Sequence, residues 1–375
     1  MTDHRISNMA KILVNYSTEV KENDLVAIIG QPSATPLIQE LYREILRNGG
    51  HPYLFPYSLR PLVPGYEGLD QIFLSEANDD QLKHINVMWK KIIEEFDVRI
   101  GIKSRFNTRS LSDIDPHRIR LRGQAYKGLA QTYFDRQASG ALRRVGTLFP
   151  TQAYAQEADM SLKEFEDYVY RSTFSDCDDP IAEWKRIHDE QQILVDWLKG
   201  KKNVKVMGSN IDLNFSIDGR VFINSDGKAN MPSGEIFTGP VENSVNGWAR
   251  FTFPAIYMGR EVDYIELNFH HGRVVKASAE KNESLLLSML DIDKGSRYLG
   301  EFAIGTNKQM DRFIKDILFD EKIGGTIHMA LGRGYPNTGS VNKSSIHWDM
   351  ICDMRDGGQI FVDGDLFYES GEFVI

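Results

Sequence analysis

Asp24-Leu-Val-Ala-Ile-Ile-Gly30 decides the fold. Its apolar residues run without a break between an aspartate and a glycine, and a run that short reads as a buried strand. Just after it, Ser33 stands as an N-cap, a helix reaches about Arg47, and Gly49-Gly50 stop it. His51 to Tyr57 gives the next strand. Asn78 to Phe96 places apolar residues at Leu82, Ile85, Met88, Ile92 and Ile93, the period of a helix lying on a sheet, and Val98-Arg-Ile-Gly-Ile102 follows as another strand. Strand, helix, strand, helix predicts an α/β fold whose N-terminal half is an open parallel sheet with helices on both faces.

Helices over Leu162 to Ser172 and Pro180 to Lys201 close this half, and beyond Asn203 the chain turns β-rich. Hairpin signals stand at Asp218-Gly219, Asp226-Gly227, His271-Gly272, Asp363-Gly364 and Ser370-Gly371. Alternating strands such as Tyr264-Ile-Glu-Leu-Asn-Phe269 and Gln359-Ile-Phe-Val362 lie between them, with one helix over Glu283 to Leu290. The boundary is expected near residue 200, giving an N-terminal α/β domain of residues 1–200 and a C-terminal β-rich α+β domain of residues 201–375. Gly30 has no Gly-x-Gly-x-x-Gly around it, so the first strand carries no dinucleotide fingerprint.

At 375 residues the chain is too long for one ordinary core. Its 41% hydrophobic and 26% charged residues are those of a globular protein. A net charge of −9 argues against a nucleic-acid partner. The short basic runs Lys199-Gly-Lys-Lys202 and Arg118-Ile-Arg-Leu-Arg122 read as solvated surface. Two cysteines, Cys177 and Cys352, make no disulfide framework and suit a reducing cytoplasm. No apolar run approaches the roughly 20 residues of a membrane span, and Met1-Thr-Asp-His-Arg5 leads into no apolar signal region. A cytoplasmic protein with no membrane partner is expected.

The chemistry concentrates between Glu321 and Asp349. With nine histidines in the whole chain, His328 and His347 stand unusually close to carboxylates in a stretch that reads as strand and turn. In His347-Trp348-Asp349 the polar residues are two apart, so on a strand they share a face while Trp348 takes the other. They can reach one ion together, or be a hydrogen-bonded pair at a strand end. His328, between Ile327 and Met329, can be a ligand or a satisfied core histidine. Glu321 follows the run Phe313-Ile-Lys-Asp-Ile-Leu-Phe319, Glu301 follows Leu299-Gly300, and Glu235 lies in Met231-Pro-Ser-Gly-Glu-Ile-Phe-Thr238. If buried, such carboxylates need a partner or a cation; at exposed turn edges they need neither.

The runs Leu318-Phe-Asp-Glu321, His328-Met-Ala-Leu-Gly-Arg-Gly-Tyr335, Asn342-Lys-Ser-Ser-Ile-His-Trp-Asp349 and Val362-Asp-Gly364 resemble the thermophilic metallo-aminopeptidases of the aminopeptidase T and aminopeptidase S type. Upstream, Asn230-Met-Pro-Ser-Gly-Glu-Ile-Phe-Thr238 and Leu299-Gly-Glu-Phe-Ala303 are similar to that family's other signatures, in the same order. The resemblance implies a catalytic C-terminal domain in which Glu235, Glu301, Glu321, His328, His347 and Asp349 bind two divalent ions. It further implies hydrolysis of N-terminal residues from peptides by a water bridging the ions, Tyr335 assisting, in a homodimer whose site faces an internal cavity. Glu301 or Glu321 would relay the proton and Tyr335 would hydrogen-bond the oxyanion; otherwise Tyr335 is a core tyrosine. Four carboxylates against two divalent ions leave a site near neutrality, and nitrogen and oxygen ligands without thiolate suit zinc, cobalt or manganese. Two departures from the family pattern are visible: Lys-Ile-Gly-Gly-Thr-Ile between Glu321 and His328 is longer than the commonest form, and Gly234 stands where many members carry a glutamate.

Ring-cleaving dihydroxypyridine dioxygenases resemble the same family, and there His328, His347 and Asp349 would form a two-His-one-carboxylate triad for iron(II). The retained Glu235, Glu301 and Glu321 speak against that alternative, since a single iron does not need them. An inactive binding homologue is the other alternative. Trp348, Trp248 and Phe237 are candidates for walls of a substrate pocket.

Overall fold

The computed structural model describes residues 3–56, 68–257 and 259–375. The chain divides into two compact units, Met1–Trp184 with Gly227–Pro232 and Lys185–Asp226 with Ser233–Ile375. Against an expected boundary near residue 200, the division falls inside the helix Pro180–Leu198, because the later turns of that helix place Val195 and Leu198 in the β-rich core.

In the first unit β1 (Leu25–Ile29), β2 (His51–Phe55), β3 (Val98–Lys103) and β4 (Arg143–Leu148) lie parallel in the order β2-β1-β3-β4. Ala27 and Ile29 pack with Trp89, Ile92 and Ile93 of the helix Val87–Glu95 and Leu129 of the helix Lys127–Ala138. The alternate residues Val26 and Ile28 are equally buried, and the helix Thr35–Arg47 lies beside β1. A strand covered on both faces must be apolar throughout, as β1 is. Asn230–Met231 adds a short fifth parallel strand beside β4. The Asp226-Gly227 pair therefore turns no hairpin; the chain leaves the second unit there and joins the first.

Two local expectations are corrected. The helix starts at Thr35 after a 3-10 turn over Pro32–Ala34, and Ser33 donates its hydroxyl to the Ser104 carbonyl instead of capping. Asn78 to Phe96 is two helices, Asp79–Lys83 and Val87–Glu95, because the Asn86 side chain accepts from the Met88 and Trp89 amides at 2.9 and 3.1 Å and begins a new helix. The predicted stop holds: Gly49 has φ +76°, the left-handed conformation that glycine tolerates. Tyr57, the last residue of the expected second strand, lies outside the described residues.

The second unit holds an eight-stranded antiparallel sheet and a five-stranded one. In the larger, the pairs His271-Gly272, Asp363-Gly364 and Ser370-Gly371 turn hairpins with both residues at positive φ, the type I′ geometry matched to strand twist. The smaller is built from β5 (Ile223–Ser225), β6 (Glu235–Thr238), β7 (Leu299–Gly305), β8 (Thr326–Gly332) and β9 (His347–Asp353), antiparallel in the order β9-β8-β7-β6-β5. Ile236, Phe302, Ile304, Ile327, Met329, Leu331, Trp348, Met350 and Cys352 all enter the core that this sheet shares with Val206, Leu213 and Ile360 of the larger one. Trp348 is therefore a core residue and not a pocket wall. Among the described residues no helix is long and apolar enough to cross a membrane.

Candidate metal centre

Strand register places five of the six predicted ligands on one face of the five-stranded sheet. Glu301, Ala330 and Asp349 form one row across β7, β8 and β9, and Phe237, Ala303, His328 and Ile351 form the next across β6 to β9. Gly305 stands opposite Glu235, and Gly332 opposite His347. Directly opposed residues point to the same side, so Glu235, Glu301, His328, His347 and Asp349 project together. Between them stand Ala303, Gly305, Ala330 and Gly332, whose side chains leave the space open.

Glu301 reaches this face because of a bulge. Leu299 pairs with Leu331 and Glu301 with Ala330, so Gly300 is an extra residue in β7. Simple alternation from Leu299 would have turned Glu301 into the apolar core; the inserted residue reverses it.

The sixth predicted ligand arrives on a loop. Glu321 ends the short helix Ile317–Asp320, and the chain then passes the end of β7, where the Asn307 amide donates to the Lys322 carbonyl at 3.2 Å and the Gly324 amide to the Asn307 carbonyl at 3.0 Å. Gly305 is required here, since a Cβ would overlap the Ile323 carbonyl. The long interval from Glu321 to His328 is taken up by this crossing and by Gly325 at φ +91°.

Both imidazoles are oriented from behind. His328 donates Nδ1–H to the Glu321 carbonyl at 2.8 Å and His347 donates Nδ1–H to the Arg333 carbonyl at 2.7 Å, which leaves each Nε2 toward the carboxylates. His347 Nε2 lies 3.0 Å from Glu301 and 3.3 Å from Asp349, and His328 Nε2 lies 3.6 Å from Glu235 and 3.9 Å from Glu301. Lys322, which the sequence reading did not place here, has no exposed surface; it pairs with Glu321 and stands 3.6 Å from Glu235.

The charges are strongly coupled. Burial alone would raise the Glu301 pKa, but the neighbouring imidazoles of His328 and His347 hold it below the ordinary value. Asp349 is likewise drawn down to about 2 against burial, chiefly by His347. Glu321 goes the other way, to about 7, because burial and the neighbouring Glu235 and Asp349 outweigh Lys322. Burial disfavours a charged His328, yet Glu301, Glu235 and Glu321 lift it to about 9, and Asp349 and Glu301 lift His347 well above the usual imidazole value. Without a metal, protons on the imidazoles thus balance the carboxylates.

The donor set fits a metal ion. Glu235 Oε2 and Asp349 Oδ1 are buried oxygens with no hydrogen-bond partner, a costly arrangement that a cation relieves. Ligand atoms of Glu301, His347 and Asp349 lie within 4.8 Å of one another, and so do those of Glu321, His328 and Asp349. Asp349 belongs to both groups. Cys352 faces the core, so the donors are nitrogen and oxygen only.

Tyr335 stands at the edge of this face, part of the residue open to solvent and its ring packed 5.2 Å from His347 and 5.4 Å from Phe237. Burial of the phenol, with Glu301 and Asp349 nearby, raises its pKa and keeps it a hydrogen-bond donor. Phe237 thus lies beside Tyr335 at the edge of this face. Trp248 lies in the eight-stranded sheet.

A second unpredicted residue, Asp293, ties down the approach to β9. It accepts from the Ser345 amide and hydroxyl and the Ser344 hydroxyl, each at 2.8 Å, and from the Gly295 amide at 2.9 Å. Neither it nor Lys322 carried a signal in the sequence, because Asp293 lies in a polar turn and lysines are rarely buried.

The family described as thermophilic metalloprotease (M29) matches residues 2–373. The chain is 26% identical to Aminopeptidase 2 of Geobacillus stearothermophilus, over 94% of this chain and 93% of that protein. It is also 26% identical to Aminopeptidase T of Thermus thermophilus, over 56% of this chain and 57% of that protein. Its fold is similar to the solved structure of wild-type AmpT from Thermus thermophilus, with a TM-score of 0.85, 18% identity and 99% of each chain covered.

Proposed function

This chain belongs to the thermophilic metalloprotease family M29, and on that premise we propose that it is an aminopeptidase whose site takes two divalent ions. The observation that carries the reading is the pair of ligand groups, Glu301-His347-Asp349 and Glu321-His328-Asp349, meeting at one shared carboxylate. Glu235 completes the set with an otherwise orphaned oxygen. Zinc, cobalt and manganese all match these donors. Such ions, when bound, supply a water acidic enough to attack near neutral pH and a Lewis acid for the peptide carbonyl.

The remaining work falls to the chain's own side chains. Glu321 or Glu301, the carboxylates of the two ligand groups, would carry the proton from attacking water to leaving amine. Tyr335, protonated across the neutral range, donates a hydrogen bond to the oxyanion.

The test compares wild type with Asp349→Ala after removal of metal and dialysis against zinc. If Asp349 serves both groups, the variant retains neither ion firmly, and its turnover of peptides falls by at least about 10³-fold. A variant that binds metal like the wild type contradicts the reading.

A further inference from the structure

Lys322 places a fixed positive charge among the ligands, and it does so on one side only. We propose that Lys322 makes the two ion positions unequal, weakening the ion held by Glu321, His328 and Asp349 relative to the one held by Glu301, His347 and Asp349. The inference rests on the two-ion reading above.

The asymmetry is geometric. Among the described ion pairs, the ammonium of Lys322 reaches Glu321 and Glu235, and neither Glu301 nor Asp349. Glu321 belongs to one ligand group only. An ion entering that group shares Glu321 with the ammonium and sits beside its charge. An ion entering the other group meets no lysine contact.

The ammonium cannot step aside. Lys322 has no solvent exposure, its amide donates to the Phe319 carbonyl at 2.9 Å, and its carbonyl accepts from the Asn307 amide at 3.2 Å, so its backbone is held from both sides. Withdrawing it from its carboxylates would leave an unpaired charge in the interior.

The charge balance points the same way. With both imidazoles deprotonated and all carboxylates ionised, as metal ligation requires, Glu235, Glu301, Glu321 and Asp349 carry four negative charges and Lys322 one positive. One divalent ion leaves the site one charge negative, and a second makes it one charge positive. Once metal has displaced the imidazole protons, a site with one ion is still net negative, and the second ion takes it past neutrality. With a neutral residue at position 322, two ions would balance the carboxylates.

The experiment is a zinc titration of metal-free full-length protein, followed by calorimetry and by bound metal per chain after equilibrium dialysis, on wild type, Lys322→Met and Lys322→Arg. The wild type should take one ion tightly and a second on the order of tenfold or more weakly. Lys322→Met should narrow that gap, and Lys322→Arg, which keeps the charge, should preserve it. Lys322→Gln serves in place of Lys322→Met if the thioether variant does not melt cooperatively. Equal affinities in the wild type, or an undiminished gap in the neutral variant, overturn the proposal. So does a folded neutral variant that loses both ions, since Lys322 would then be holding the ligands in place. A single ion per chain in every protein at every zinc concentration instead overturns the two-ion reading itself.

Discussion

Met329 and Ala330 are neighbours on the same strand, and they answer to opposite demands. Met329 lies with Phe302, Leu331, Trp348 and Met350 in the hydrophobic core, where close packing of large side chains lowers the free energy. Ala330 lies between Glu301 and Asp349, where a small side chain keeps the space between the carboxylates open. The contrast runs through the whole five-stranded sheet. One face has large apolar side chains and no charge; the other has carboxylates and imidazoles separated by alanine and glycine. A strand of period two lets one backbone serve both purposes, with the packed face supplying the rigidity that the polar face needs to hold like charges together.

The sharpest way to break the comparison is to exchange the two demands. Ala330→Leu should abolish metal uptake and lower turnover by at least about 10³-fold, for an overpacking cost of about 1–3 kcal/mol in stability. Met329→Ala should do the reverse, costing about 2–5 kcal/mol in stability with turnover per folded molecule unchanged. Denaturant unfolding, metal content and peptide turnover on both variants decide this. If Met329→Ala reduces metal content as much as Ala330→Leu does, the faces are not separable.

Tyr335→Phe probes the rim of the polar face. Loss of its hydroxyl should reduce turnover by about 10²- to 10³-fold while metal content stays at the wild-type level. Unchanged turnover would remove Tyr335 from the mechanism.

How much of this was legible beforehand follows from the physics of each element. The alternation in His347-Trp348-Asp349 was readable because the period of a strand is two and nothing interrupts β9. Glu301 was not readable as to face, because the bulge at Gly300 reverses the alternation and only the pairing with β8 reveals it. β1 announced itself by apolar continuity, whereas Asn230–Met231 is too short to have a pattern and gains its identity from β4. The break at Asn86 was hidden under a helical period that continued across it. Lys322 stayed unseen because burial of an ammonium depends on which carboxylates the fold brings to it.

The smallest expected effect lies outside the sheet. Burial would raise the Asp293 pKa, but hydrogen bonds from Ser345, Ser344 and Gly295 hold it at about 2 in the folded protein. A depressed pKa stabilises the fold above the unfolded value of about 3.9, and that contribution fades as pH falls from there toward 2. Asp293→Asn should therefore be less stable than wild type near neutrality and lose less stability between about pH 4 and pH 2. Parallel acid-unfolding curves for the two proteins would show that Asp293 does not anchor the approach to His347.

The central claim, that the polar face is a metal-dependent aminopeptidase site, is tested most directly by following amino-acid release from a short peptide. The assay uses metal-free protein before and after restoring zinc, cobalt or manganese, with the N-acetylated peptide alongside. Release of the N-terminal residue should appear only with metal, stop again on chelation, and be absent for the acetylated peptide. Cleavage that survives chelation, or no release with any of the three metals, would contradict the account.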